Sequence, residues 1–156
     1  MIAASIALFS AVLVYWFQRR EDELARKRVA CAEAIADAIA WLELPYRVRR
    51  RQDNDKGTLD ALAERFHKLH ERLLFHENWL RIEVPTAHPR YTSAVAAARA
   101  ASVEAIRAAW AAEPVSSSEQ MNVGNLGIDR SQVDTAVSDF SAEVTKRLRV
   151  IPWSPF

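Results

Sequence analysis

Met1-Ile2-Ala3-Ala4-Ser5-Ile6-Ala7-Leu8-Phe9-Ser10-Ala11-Val12-Leu13-Val14-Tyr15-Trp16-Phe17 contains no charged side chain, and Gln18-Arg19-Arg20 follows at once. At about 1.5 Å per residue, a helix over residues 2–18 spans roughly 25 Å. That is the short end of what crosses a hydrocarbon core about 30 Å thick. Tyr15, Trp16 and Phe17 stand where an interfacial aromatic belt is expected, and Arg19, Arg20, Arg26, Lys27 and Arg28 come after it. No basic side chain precedes the span, so the positive-inside bias places the N-terminus outside and residues 19–156 in the cytoplasm. Residues 1–18 therefore read as a single-pass transmembrane anchor in the cell membrane, with the lipid bilayer as its partner. A cleaved secretory signal fits poorly, because it needs a basic n-region and small residues at the cleavage site. The marginal length leaves a buried core helix as the alternative.

Residues 19–156 are long enough for one domain with its own core. The formal net charge is +1, so no global field points to nucleic acid. Cys31 is the single cysteine; it allows no internal disulfide and lies in the small-residue run Val29-Ala30-Cys31-Ala32, where it reads as a buried hydrophobe. The glycines are Gly57, Gly124 and Gly127, and the prolines are Pro45, Pro85, Pro89, Pro114, Pro152 and Pro155. Gly weakens helix interiors and Pro breaks them, so these clusters mark connections. The stretches between them are rich in Ala and Arg. The expected fold is all-α: a transmembrane helix continuing into an antiparallel bundle of three or four helices.

The first helix is expected to run on through residues 19–43, with Leu24, Cys31, Ile35 and Leu42 along its buried stripe and Pro45 as its stop. The second soluble helix, 58–83, has the clearest pattern. Leu59, Leu62, Phe66, Leu69, Leu73, His76 and Leu80 recur at spacings of three and four, a heptad-like seam, and Thr58 is placed to cap it. Leu74, Phe75, Trp79 and Ile82 widen its apolar surface. A third, Ala-rich helix covers 91–112, with Tyr91, Val95, Ala98, Ser102, Ala105 and Ala109 on one face. Residues 113–129 read as a mobile loop. A fourth helix covers 131–149, with Val133, Val137, Phe140, Val144 and Leu148 as its core stripe and Asp129 or Ser131 as its cap. Residues 150–156 form an apolar tail.

Chemistry is sparsely signalled. Glu64-x-x-His67 has the spacing used in di-iron bundles, which need a second such motif and two further carboxylates. Glu64, His67 and His70 are thus weak metal-ligand candidates and offer the enzyme or metal-protein alternative. His76 occupies a seam position and reads as a core histidine satisfied by a hydrogen bond, or as a pH-sensitive packing element. Arg47, Arg49, Arg50 and Arg51 form the densest basic cluster; they could meet phosphate or anionic lipid, but basic clusters usually mark solvated faces. Trp153 and Phe156 in the tail are partner-binding candidates. No phosphate loop, zinc-spaced cysteine pair or nucleophile elbow occurs, so no catalytic or cofactor-binding residue is assigned and no cofactor is expected.

The expected function is that of a non-catalytic, membrane-tethered helical interaction or accessory protein at the cytoplasmic membrane face. Its partner would be another protein or a second copy of the chain; nucleic acid is an unlikely one. The layout is similar to that of phage-encoded exclusion factors and of accessory subunits of membrane complexes, a likeness of arrangement that covers no motif.

Overall fold

Helix boundaries follow the spacing of Gly and Pro, with two exceptions set by where a proline sits in a turn. The computed structural model describes residues 2–149 apart from 118, 123 and 125, and for residues 2–10 it describes the backbone alone. Helix α1 runs over Ile2–Ala40 and passes through a 3-10 turn at Trp41–Glu43 into α2, Leu44–Arg49. Helices α3 (Lys56–Glu83), α4 (His88–Ala111) and α5 (Ser131–Arg147) follow, and the described residues contain no strand.

Pro45 does not stop the chain as expected. It lies in the first turn of α2, where its missing N–H has no intrahelical partner to lose. The first helix instead ends at Ala40, and the Arg47-Val48-Arg49 segment is helical. Likewise α4 begins at His88 rather than Tyr91, because Pro89 stands in its first turn. Asp55, not Thr58, is the N-cap of α3, and its Oδ1 accepts from the Thr58 N–H at 2.8 Å. At α5 the N-cap position is Arg130, and Asp129 accepts from the Ser131 N–H just ahead of the helix. The helix stops at Arg147 and not Arg149.

Cross-helix contacts set the directions. Lys27 pairs with Glu83, Asp37 with His76, and Trp41 meets Phe66 edge-on, so α3 runs antiparallel to α1. The Tyr91 hydroxyl reaches the Leu73 carbonyl and Arg99 meets His70, so α4 reverses again. Tyr91 packs on Phe140, and Arg28 donates to the Leu148 carbonyl, which brings α5 back beside α1. The result is an up-down-up-down bundle. One core cluster joins Cys31, Ala34, Ala38, Leu73, Leu80, Tyr91 and Phe140. A second, toward the other end, joins Leu42, Ala98, Ala105, Ile128 and Val133. Small side chains on α1 and α4 let these helices approach closely, and the expected face of α4 is the buried one.

The buried stripe of α1 keeps Cys31 and Leu42, has Leu24 and Ile35 partly buried against the core, and adds Ala34, Asp37 and Ala38. The 113–129 segment is tied down at both ends, by buried Val115 and buried Ile128. Gly127 adopts φ 74°, a left-handed turn that favours glycine.

Among the described residues no helix is long and apolar enough to cross a membrane. The side chains of residues 1–10, which complete the expected anchor, lie outside the described residues.

Candidate functional site: a buried carboxylate between two helices

Asp37 is the carboxylate around which the polar interior is arranged. Its neighbours in sequence are Ala36 and Ala38, and no Lys or Arg lies three or four residues away on α1. A helical carboxylate without a local cation must find one on another helix. It does so on α3. Arg72 Nη2 lies 2.5 Å from Asp37 Oδ1, and His76 Nε2 lies 3.2 Å from Oδ2. The Asp37 side chain is 4% exposed and that of His76 7%, while Arg72 reaches in from solvent at 63%. With Nε2 donating to Asp37, the imidazole keeps Nδ1 for a further contact; that atom is buried and has no hydrogen-bond partner among the described residues.

The polar seam continues onto α4. Burial, and then the charges of Asp37 and Glu77, push the Tyr91 phenol well above its ordinary range, so it stays a hydrogen-bond donor to the Leu73 carbonyl at 3.3 Å. His88 Nε2 is 3.8 Å from Glu77 Oε1, close enough for attraction but too far for a hydrogen bond. An Asp–His pair is half of a nucleophilic relay, which also needs a hydroxyl or thiol at the free imidazole nitrogen. The thiol here, Cys31, is buried elsewhere in the core and pushed up to about 11 by that burial. The cluster clamps α1 to α3, and His76 is the buried core histidine that its seam position suggested, hydrogen-bonded through Nε2 while Nδ1 has no partner among the described residues.

The expected metal ligands are not brought together. His67 Nε2 pairs with Glu71 at 3.1 Å, Glu64 with Lys68 at 3.2 Å, and His70 Nδ1 faces Arg99 at 3.1 Å. No group of three metal-ligating side chains occurs among the described residues.

The basic cluster divides. Arg47 and Arg50 are exposed, Arg50 stacking over the Tyr46 ring, and Arg49 donates to the Glu113 carbonyl at 3.2 Å. Arg51 is a correction to the solvated reading: it is buried. Its guanidinium donates to the carbonyls of Val48 at 3.1 Å, Ala109 at 2.8 Å and Trp110 at 3.2 Å, and to those of Ala112 and the side chain of Asn54. It thereby satisfies the unpaired carbonyls at the C-terminus of α4 from outside that helix. Its own carbonyl accepts from the Val115 N–H at 2.8 Å and so starts the long loop. Nothing in the run Arg49-Arg50-Arg51 marks which arginine turns inward. Asp37 left a weak signal, its missing local cation. Trp153 and Phe156 lie outside the described residues.

An open groove of about 490 Å³ separates α1 from α5, lined by Arg28, Cys31, Ile35, Phe140, Val144 and Leu148 among others. On α3, Leu74 and Phe75 stand exposed, Phe75 at 63%. Comparison with protein-family models, with curated proteins and with solved structures finds no significant match for this chain.

Proposed function

We propose that the protein is a non-catalytic, membrane-tethered helical interaction protein whose body works at the cytoplasmic face of the cell membrane. The observation that carries this reading is the start of α1. Val12, Leu13, Val14, Tyr15, Trp16 and Phe17 are all exposed on a helix that continues unbroken into the bundle. An apolar surface presented all round a helix calls for cover by lipid or by protein. A bilayer supplies that cover if residues 2–18 insert, and Arg19 and Arg20 then lie on the cytoplasmic side. Exposed Leu74 and Phe75 support a protein-facing role for the outer side of α3, toward a partner or a second copy of the chain.

The test is alkaline carbonate extraction of membranes holding the full-length chain, with a tag at its N-terminus. Retention in the membrane fraction, with the tag reached by protease only from outside, is the expected result. Release of the protein into the supernatant refutes the tether. Native sizing in mild detergent then reads the partner: a larger species that Phe75→Glu dissolves supports the docking role of α3, and a bare monomer with no companion refutes it.

A further inference from the structure

The densest basic cluster in the sequence lies at the wrong end of the bundle for lipid. From Phe17 to Ala40 a helix rises about 35 Å, and α2 with Arg47–Arg50 is packed at that far end. The antiparallel arrangement brings other cations to the near end. Lys27 meets Glu83, and Arg28 meets the Leu148 carbonyl, so the C-termini of α3 and α5 and the start of α4 close the bundle level with residues 24–28 of α1. Residues 19–28, 81–90 and 146–149, which build this end, hold ten Lys or Arg against four Asp or Glu. Lys27 is held between Glu23 and Glu83, and Arg147 is paired with Glu143. Arg19, Arg20, Arg81, Lys146 and Arg149 form no ion pair among the described residues. On the same rim Ile82 is 76% exposed. Leu24, partly buried against the core, marks the edge of the packed body. Lys27, level with Glu83 at the end of α3, lies ten residues past Phe17, about 15 Å along the helix.

We infer that this end of the bundle is a docking face for an anionic lipid surface, held by Arg81, Lys146 and Arg149 with Ile82 as its apolar contact. The inference rests on the membrane tether proposed above. Once Tyr15–Phe17 lie at headgroup level, the face stands about 15 Å along the helix from them, and a tilt of α1 toward α3, within the range common for membrane helices, lowers its Arg and Lys side chains to within about one Debye length of the bilayer, where cations are attracted to anionic lipid. The body is then seated on the membrane rather than swinging on a stalk. Leu74 and Phe75, farther along α3, are left facing sideways toward a protein.

The experiment uses the full chain reconstituted into vesicles, either of phosphatidylcholine alone or with about 30% phosphatidylglycerol added as a source of the surface potential. An environment-sensitive fluorophore is attached at Ile82→Cys, and in a parallel sample at Trp16→Cys; Cys31 is buried and does not compete. Brominated lipids act as quenchers. The docking face predicts quenching at position 82 on the anionic vesicles, loss of it on neutral ones, and loss of it in the wild-type background as salt is raised. Arg81→Gln, Lys146→Gln and Arg149→Gln together should weaken docking by about 100-fold, at about 1 kcal/mol per basic side chain. Quenching at 16 with none at 82 overturns the docking face and leaves the tether standing. Quenching at neither position overturns both. Equal quenching at 82 on both vesicle types overturns the electrostatic recognition.

Discussion

Asp37 on α1 and His76 on α3 meet inside the bundle with 3.2 Å between Oδ2 and Nε2, and both side chains are almost wholly withdrawn from water. A buried carboxylate is tolerated because two donors on one facing helix share it. Taking away His76 leaves Asp37 with Arg72 alone beside a cavity, and taking away Asp37 leaves a buried imidazole nitrogen with no acceptor. Asp37→Ala or His76→Ala is therefore expected to lower the unfolding free energy by about 1–3 kcal/mol. Asp37→Leu with His76→Leu should cost less than either single change, since Arg72 can turn back to solvent. Urea unfolding of the three variants checks this, and a double variant weaker than both singles contradicts it.

Arg51 holds the C-terminus of α4 through its carbonyls and lies under the Trp110 ring at 5.6 Å. Arg51→Ala should destabilise the fold by about 3 kcal/mol, because several buried carbonyls lose a charged donor. Arg51→Lys should recover only part, since an ammonium lacks the planar fork that serves several acceptors at once. Arg47→Ala and Arg50→Ala, at exposed positions, should stay within about 0.5 kcal/mol of wild type. Thermal melts of the four variants decide whether the basic cluster behaves as one surface or as a buried pin with exposed neighbours.

Ala98 is 1% exposed and packs in the cluster of Leu42, Ala105, Ile128 and Val133. Ala98→Leu should cost about 1–3 kcal/mol by overpacking. Ala100→Leu, at an exposed position of the same helix, should be near neutral. Equal tolerance of both would show that the close approach of α4 is not required.

Asp55 caps α3, and its carboxyl is held below its ordinary value of 3.8, first by the Thr58 backbone N–H and then by the hydrogen bond with Asp53. A lowered folded-state value means that the contribution is complete above the unfolded value and is lost as pH falls through the folded one. Asp55→Ala should lower the melting temperature at neutral pH, and the difference should shrink below the carboxylate range, where the protonated carboxyl is left as a neutral acceptor for the cap. Asp55→Asn, which keeps an acceptor for the cap, should stay near wild type at neutral pH and show a weaker fall in acid. A melting-temperature series from pH 7 to pH 2 reads both; an Asp55→Ala deficit that is undiminished in strong acid contradicts the linkage.

Much of the fold was legible because it rests on local physics. The three- and four-residue spacing of Leu62, Leu69, Leu73, His76 and Leu80 placed α3 and its buried face, and the five are buried together. The small-residue face of α4 from Tyr91 to Ala109 was equally readable. Helix ends were less so, because a proline in a first turn and a proline past a last turn look alike in sequence. Pro45 and Pro89 both turned out to open helices.

The sequence by itself determined that the chain forms helices with apolar stripes, and that Cys31 and His76 belong inside. Periodicity and propensity are properties of neighbouring residues, so no tertiary contact is needed to read them. Only the tertiary structure decided that Asp37 is interior and bound to α3, that Arg51 is separated from Arg47 and Arg50 by being buried against α4, and that His70 faces Arg99 on α4. It also decided which basic residues share an end with the apolar N-terminal stretch. Each of these depends on groups about 30 to 120 residues apart in sequence, whose meeting is set by the direction and rotation of packed helices and not by the residues on either side.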